Sequence, residues 1–176
     1  EYALKRLDAD IEDPAAVDTA AADLIFEAKI LSELPHHEHI IRLLALSTGF
    51  WDIPQEGFLI LEQMADTLHD RLALWRRKAT AQNAQDRMFH IAPGIARAMQ
   101  FLHENRVIYR DLKPQNVGID AKGNVRLFDF GLARYHIEGQ RKLTGRSGSV
   151  RYMAQEVARR RDYSCLADVH SYSILV

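Results

Sequence analysis

Tyr109-Arg110-Asp111-Leu112-Lys113-Pro114-Gln115-Asn116, followed some way on by Asp129-Phe130-Gly131, is the stretch on which the reading of this chain turns. Between the two strings lie short β-type runs, Val117 to Ile119 and Val125 to Phe128, on either side of Asp120-Ala121-Lys122-Gly123-Asn124. Those five residues have the turn chemistry of a hairpin. Such a hairpin folds Asn116 back towards Asp129 at its open end. Two carboxylates (Asp111 and Asp129), a carboxamide (Asn116) and an ammonium (Lys113) then share one small volume. Asp and Asn oxygens suit a hard cation such as magnesium, which keeps several waters and takes only one or two protein carboxylates, whereas a structural calcium site needs more oxygens. Either aspartate alone reads as an ordinary turn or cap residue. The string as a whole does not.

Upstream, Asn83 to Glu104 reads as a helix with Ile91, Ile95, Met99 and Leu102 on its buried stripe, although Pro93-Gly94 lies inside it and an interior proline kinks a helix. Thr67 can cap a short helix reaching about Lys78. Strand-like segments occupy Ile40 to Leu46 and Gly57 to Glu62, joined by a loop with Trp51 and Pro54. Asp10 to Ala20, with Pro14, reads as a loop, after which Asp18 or Thr19 caps a helix to about Leu34. On that helix Leu24, Ala28 and Leu31 form the core stripe, and Glu27 sits within it. Positions 23, 24, 30 and 31 offer Glu27 no cation, and a buried unpaired carboxylate is costly, so its partner must come from elsewhere. In Tyr2 to Leu7, Ala3, Lys5 and Leu7 share one strand face, which leaves Lys5 as a second charge among apolar neighbours.

The 176 residues, 47% apolar and 27% charged, suit a globular chain with a sizeable core. A formal net charge of −1 argues against nucleic-acid binding. The basic runs Arg76-Arg77-Lys78 and Arg159-Arg160-Arg161 are short and read first as solvated surface. Cys165 is the single cysteine, which excludes an internal disulfide and fits a reducing, intracellular and cytoplasmic setting. No apolar run approaches the ~18 residues of a membrane span. The chain opens without Met inside what reads as a strand and stops in an apolar helical pattern at Ser173 to Val176. A fragment, poorly soluble or partly unfolded in isolation, is therefore expected.

The strings at 109–116 and 129–131 resemble the catalytic loop and the Asp-Phe-Gly motif of eukaryotic-type protein kinases. Other segments then resemble that family in order. Ala3-Leu4-Lys5 is similar to the strand whose lysine holds the ATP phosphates, and Glu27 to the helix glutamate paired with it. Leu59 to Met64 is similar to the last small-lobe strand entering the hinge, with Leu61 at the gatekeeper position and the backbones of Glu62 and Met64 facing adenine. Gly148 to Glu156 resembles the end of an activation segment, and Asp168 to Tyr172 the start of the central large-lobe helix. The resemblance implies an α+β, two-lobed fold. Residues 1–62 would be a small lobe of antiparallel sheet plus one helix, 63–66 the hinge, and 67–176 a mainly helical large lobe, truncated.

By the same resemblance the cofactors are ATP and magnesium. Asp111 would accept or orient the substrate hydroxyl proton, Lys113 would neutralise charge on the transferred phosphoryl group, and Asn116 and Asp129 would hold the metal. Lys113 and Ser149 resemble the serine/threonine branch, so the implied partners are protein substrates bearing Ser or Thr, with no nucleic acid and no membrane. Arg110 implies an upstream activating kinase acting on Thr144 or Ser147. Tyr109 stands where the family usually has histidine, Gln155 where it has proline, and Gly118 where it has a bulky apolar residue under the adenine. No glycine-rich loop precedes Lys5. The competing readings are a pseudokinase that binds nucleotide or partners, and a small-molecule kinase, which would lack the segment between Asp129 and Glu156.

Overall fold

A computed structural model describes residues 1–8, 10–78, 80–136 and 143–176. Residues 137–142, inside the stretch likened to an activation segment, lie outside that description. The chain begins with an antiparallel sheet of β1 (Tyr2–Arg6), β2 (Leu43–Leu46) and β3 (Phe58–Glu62), with β3 in the centre. Alternate residues of β3, Leu59 and Leu61, are buried, as a period of two demands of a strand covered on one face. Helix α1 (Pro14–Glu33) supplies buried residues to the same core, among them Leu24, Ala28 and Leu31.

Two expectations shift at the edges. Helix α1 starts at Pro14, earlier than Asp18 or Thr19 suggested, because Asp13 caps it with a carboxylate accepting from the Ala15 amide at 3.1 Å. Proline in the first turn loses no hydrogen bond, so Pro14 opens the helix where it had been read as loop. The strand expected over 40–46 is split. Ile40 bridges Leu127 in parallel, and only Leu43–Leu46, with an irregular register between Leu43 and Ala45, pairs with β3.

After β3 come β4 (Asp66–Thr67) and α2 (Leu68–Arg77), whose start carries a full capping box between Thr67 and Asp70. The expected helix over 83–104 resolves into α3 (Ala81–Asp86), a π-helical turn at Arg87–Ile91 and α4 (Ala92–Glu104). The break falls where the proline requires it, since Pro93 ends up in the first turn of α4. Gly94 is needed for packing: a β-carbon there would lie 3.1 Å from Val125 Cβ. Ile91, Ile95, Met99 and Leu102 are all buried, as their spacing predicts.

The remaining elements are short. β5 (Val107–Ile108) pairs with β8 (Arg134–Tyr135), and β6 (Val117–Ile119) pairs with both β4 and β7 (Val125–Leu127). The β6–β7 hairpin turns through Asp120, whose Oδ1 accepts from the amides of Lys122 and Asn124. α5 (Gln155–Ala158) and α6 (Leu166–Leu175) close the chain. One apolar cluster runs from α1 through β3, α4 and β7 to Phe130. No helix among the described residues is long and apolar enough to cross a membrane.

Candidate active site

Asp111 is 6% exposed, and both its oxygens are engaged. Oδ1 accepts from the Ser149 amide at 2.9 Å and the Ser149 hydroxyl at 2.8 Å. Oδ2 accepts from Lys113 Nζ at 2.5 Å and Asn116 Nδ2 at 3.1 Å. Donors on both oxygens fix the orientation of this buried carboxylate. Ser149 reaches it because Gly148 lies directly against the Arg110 backbone with φ +90°; a β-carbon there would run into the Arg110 carbonyl oxygen.

Phe128 donates its amide to the Asn116 carbonyl at 3.2 Å, so the hairpin brings Asn116 beside Asp129 as its turn residues predict. Asn116 spends its Nδ2 hydrogens on the Asp111 carbonyl and carboxylate, and its Oδ1 accepts nothing from any described residue. Asp129, at φ +64° and with its side chain 42% exposed, binds Lys5 Nζ through Oδ1 at 2.8 Å. Asn116 and Asp129 thus each keep an oxygen available. A pair of hard oxygens suits magnesium, so these residues fit that ion.

Lys5 also forms an ion pair with Glu27, the residue whose stripe offered it no partner. Burial works to lower the Lys5 pKa, but Glu27 and Asp129 outweigh it and hold the ammonium above its ordinary value. The charge is therefore permanent across the physiological range. Leu61 is buried in β3, opposite Ala3. Glu62 donates its amide to the Arg42 carbonyl at 3.1 Å and accepts the Arg42 amide on Oε1 at 2.8 Å. Among the described residues nothing hydrogen-bonds to the backbone of Gln63 or Met64, which leaves those donors and acceptors free for a ligand edge.

Met64 also accounts for Gly118. A β-carbon on Gly118 would lie 2.5 Å from Met64 Cγ and 2.9 Å from its Sδ, so the thioether occupies the space a larger residue would take. Gly118→Val is expected to cost about 1–3 kcal/mol by overpacking. Adding Met64→Ala should recover most of that cost, and thermal melts of the two single variants and the double variant measure the coupling.

Several supports escaped sequence reading. The Tyr109 ring meets Phe130 edge-on at 5.1 Å, and its hydroxyl donates to the Phe128 carbonyl. Burial, reinforced by Asp129 and Asp111, raises the pKa of that phenol and keeps it neutral. Asp168 accepts from the amides of Tyr109 and Arg110, both at 2.8 Å, and pairs with His103 Nε2 at 2.9 Å. Arg134 donates to the Gly131 and Ala133 carbonyls and stacks over Phe26 of α1 at 3.8 Å, joining the segment after Asp129 to the helix that carries Glu27. Arg110 lies over the Tyr163 ring with its Nε unpartnered, and Ser147 borders the same small cavity; Thr144 is exposed.

The protein kinase domain family model matches residues 1–176. Ribosomal protein S6 kinase 2 alpha of Xenopus laevis is 35% identical over 153 residues, which is 85% of this chain and 19% of that protein. Ribosomal protein S6 kinase alpha-6 of Homo sapiens is 40% identical over 92 residues, 52% of this chain and 12% of that protein. The chain thus spans a minor part of the curated relatives it matches. Among solved structures, a chain of the yeast RNA Pol II CTD kinase CTDK-1 complex superposes with a TM-score of 0.73 at 24% identity, covering 97% of this chain and 51% of the other. That likeness speaks to the fold alone.

Proposed function

Because this chain belongs to the protein kinase domain family, we propose that the protein carrying it transfers the γ-phosphoryl group of ATP to serine and threonine hydroxyls of protein substrates. The observation that carries the reading is the set of groups on Asp111: Ser149 holds it from one side, while Lys113 and Asn116 hold it from the other. A carboxylate so fixed accepts a hydroxyl proton in one direction only. The hydroxyl oxygen forms its bond to the γ-phosphorus as the bond to the β–γ bridging oxygen breaks, ADP leaves, and the proton passes to Asp111.

Lys5, kept charged by Glu27 and Asp129, would hold the phosphates, and Lys113 would offset charge gathering on the transferred group. Residues 1–62 and 67–176 would close on the nucleotide about 63–66, with the backbones of Glu62 and Met64 along the adenine edge and Leu61 behind it. Asn116 and Asp129 would hold magnesium, which when bound neutralises phosphate charge. The Ser149 hydroxyl on Asp111 and the place of Lys113 in the loop favour serine and threonine over tyrosine.

The full-length protein, given labelled ATP, magnesium and a mixed protein substrate, is expected to label serine and threonine but not tyrosine, and chelation by EDTA should abolish labelling. Nucleotide binding without any transfer would overturn this reading in favour of a scaffold.

A further inference from the structure

A peptide that offers its hydroxyl to Asp111 must lay its neighbouring residues in the cavity beside that carboxylate. This cavity, about 630 Å³, lies between α2, the loop at Lys113–Asn116 and the 3-10 turn Val150–Tyr152. Its volume falls within the several hundred Å³ typical of ligand pockets. The charged side chains that line it are all basic: Arg76 from α2, Lys113 from the loop and Arg151 from the turn. His69 also borders it, hydrogen-bonded to Gln115 at 3.1 Å. No described Asp or Glu lines it.

Lys113 is committed to Asp111. Arg76 and Arg151 are exposed, and neither guanidinium makes an ion pair or hydrogen bond with any described residue. Leu72 and Ala73, the neighbours of Arg76 one turn back in α2, carry no carboxylate that could neutralise it. The run Arg76-Arg77-Lys78, read from sequence as plain solvated surface, therefore sends one guanidinium to the wall of this cavity. Guanidinium groups match carboxylate and phosphate oxygens two at a time, and a cleft lined with one sign of charge concentrates the opposite sign.

We infer that this cavity selects acceptor segments with anionic side chains, Asp, Glu or an already phosphorylated residue, beside the serine or threonine, and rejects basic ones. The inference rests on the kinase reading above for the identity of the occupant. Its chemistry comes from Arg76 and Arg151.

The test uses the full-length protein and peptides that share one acceptor serine with glutamate, phosphoserine or lysine as neighbours. Phosphate transfer and fluorescence-anisotropy affinity are measured on each. The glutamate peptide is expected to exceed the lysine peptide at least tenfold in kcat/KM, since several charges act together. A phosphoserine peptide at least fivefold better again assigns phosphate as the preferred source of charge; a smaller difference assigns carboxylate. Arg76→Glu should cut the glutamate-to-lysine ratio at least fivefold. Arg77→Glu, the same charge change at a residue that does not line the cavity, should leave the ratio within twofold. Equal handling of glutamate and lysine peptides, or equal effects of the two variants, overturns the inference. If no peptide is phosphorylated, a binding preference for glutamate that Arg76→Glu removes upholds the cavity's selectivity and discards the kinase reading, and no binding preference discards both.

Discussion

Asp111→Asn in the full-length protein is expected to lower kcat by about three orders of magnitude, within the 10²–10⁴ range for loss of a general base. The substitution is nearly isosteric, and its damage follows from hydrogen-bond direction. The Ser149 amide can only donate, so the one remaining carbonyl oxygen of the new side chain must face it. The new amide nitrogen then points at Lys113 and Asn116, both of which are donors to Asp111 in the native arrangement. The proton acceptor is lost, and Lys113 is released from its 2.5 Å contact. Lys5, Glu27 and the backbone at 63–64 do not touch Asp111, so ATP affinity should stay within about threefold, a change of under 1 kcal/mol. Steady-state kinetics beside a nucleotide-binding titration reads both quantities. Activity retained within tenfold of the native protein would show that Asp111 is not the group that takes the proton.

The parts of the site legible in the sequence are those in which a residue breaks its local rule. Glu27 stands on a core stripe with no cation at helical spacing, and Lys5 shares a strand face with apolar residues; each needed a distant opposite charge, and they meet. The β6–β7 hairpin was legible because Asp120 to Asn124 supply turn chemistry within one short segment. What stayed hidden depends on contacts that leave no mark on spacing. Tyr109 reads as a ring for packing, and nothing near it announces that its hydroxyl will find the Phe128 carbonyl. Gly118 reads as a gap in the floor of the site until Met64 is seen to fill it. The same holds for the helices: Pro14 and Pro93 were read as a loop residue and a kink, yet each sits in a first turn, where a missing amide hydrogen costs nothing.

Asp168 is the support whose loss should cost most in stability. It lies in the first turn of α6 at 1% exposure, and its two oxygens satisfy three donors: the amides of Tyr109 and Arg110 and the ring nitrogen of His103. Arg110 stands at φ +74°, a conformation rarely held by a side-chain-bearing residue without external restraint. The Asp168 carboxylate supplies part of that restraint. Asp168→Ala leaves buried amides without an acceptor, each worth about 1–3 kcal/mol, so a loss of about 3–5 kcal/mol is expected. In a domain of 150–250 residues, that corresponds to a fall in Tm of roughly 6–20 °C. His103→Ala, which removes only the partly exposed donor and leaves the carboxylate on both amides, should cost no more than about 1 kcal/mol. Calorimetry on the full-length protein separates the two variants. If they proved equally mild, Asp168 would not be what holds the Tyr109–Arg110 backbone in place, and the fixed direction of Asp111 would have to come from Ser149, Lys113 and Asn116 alone.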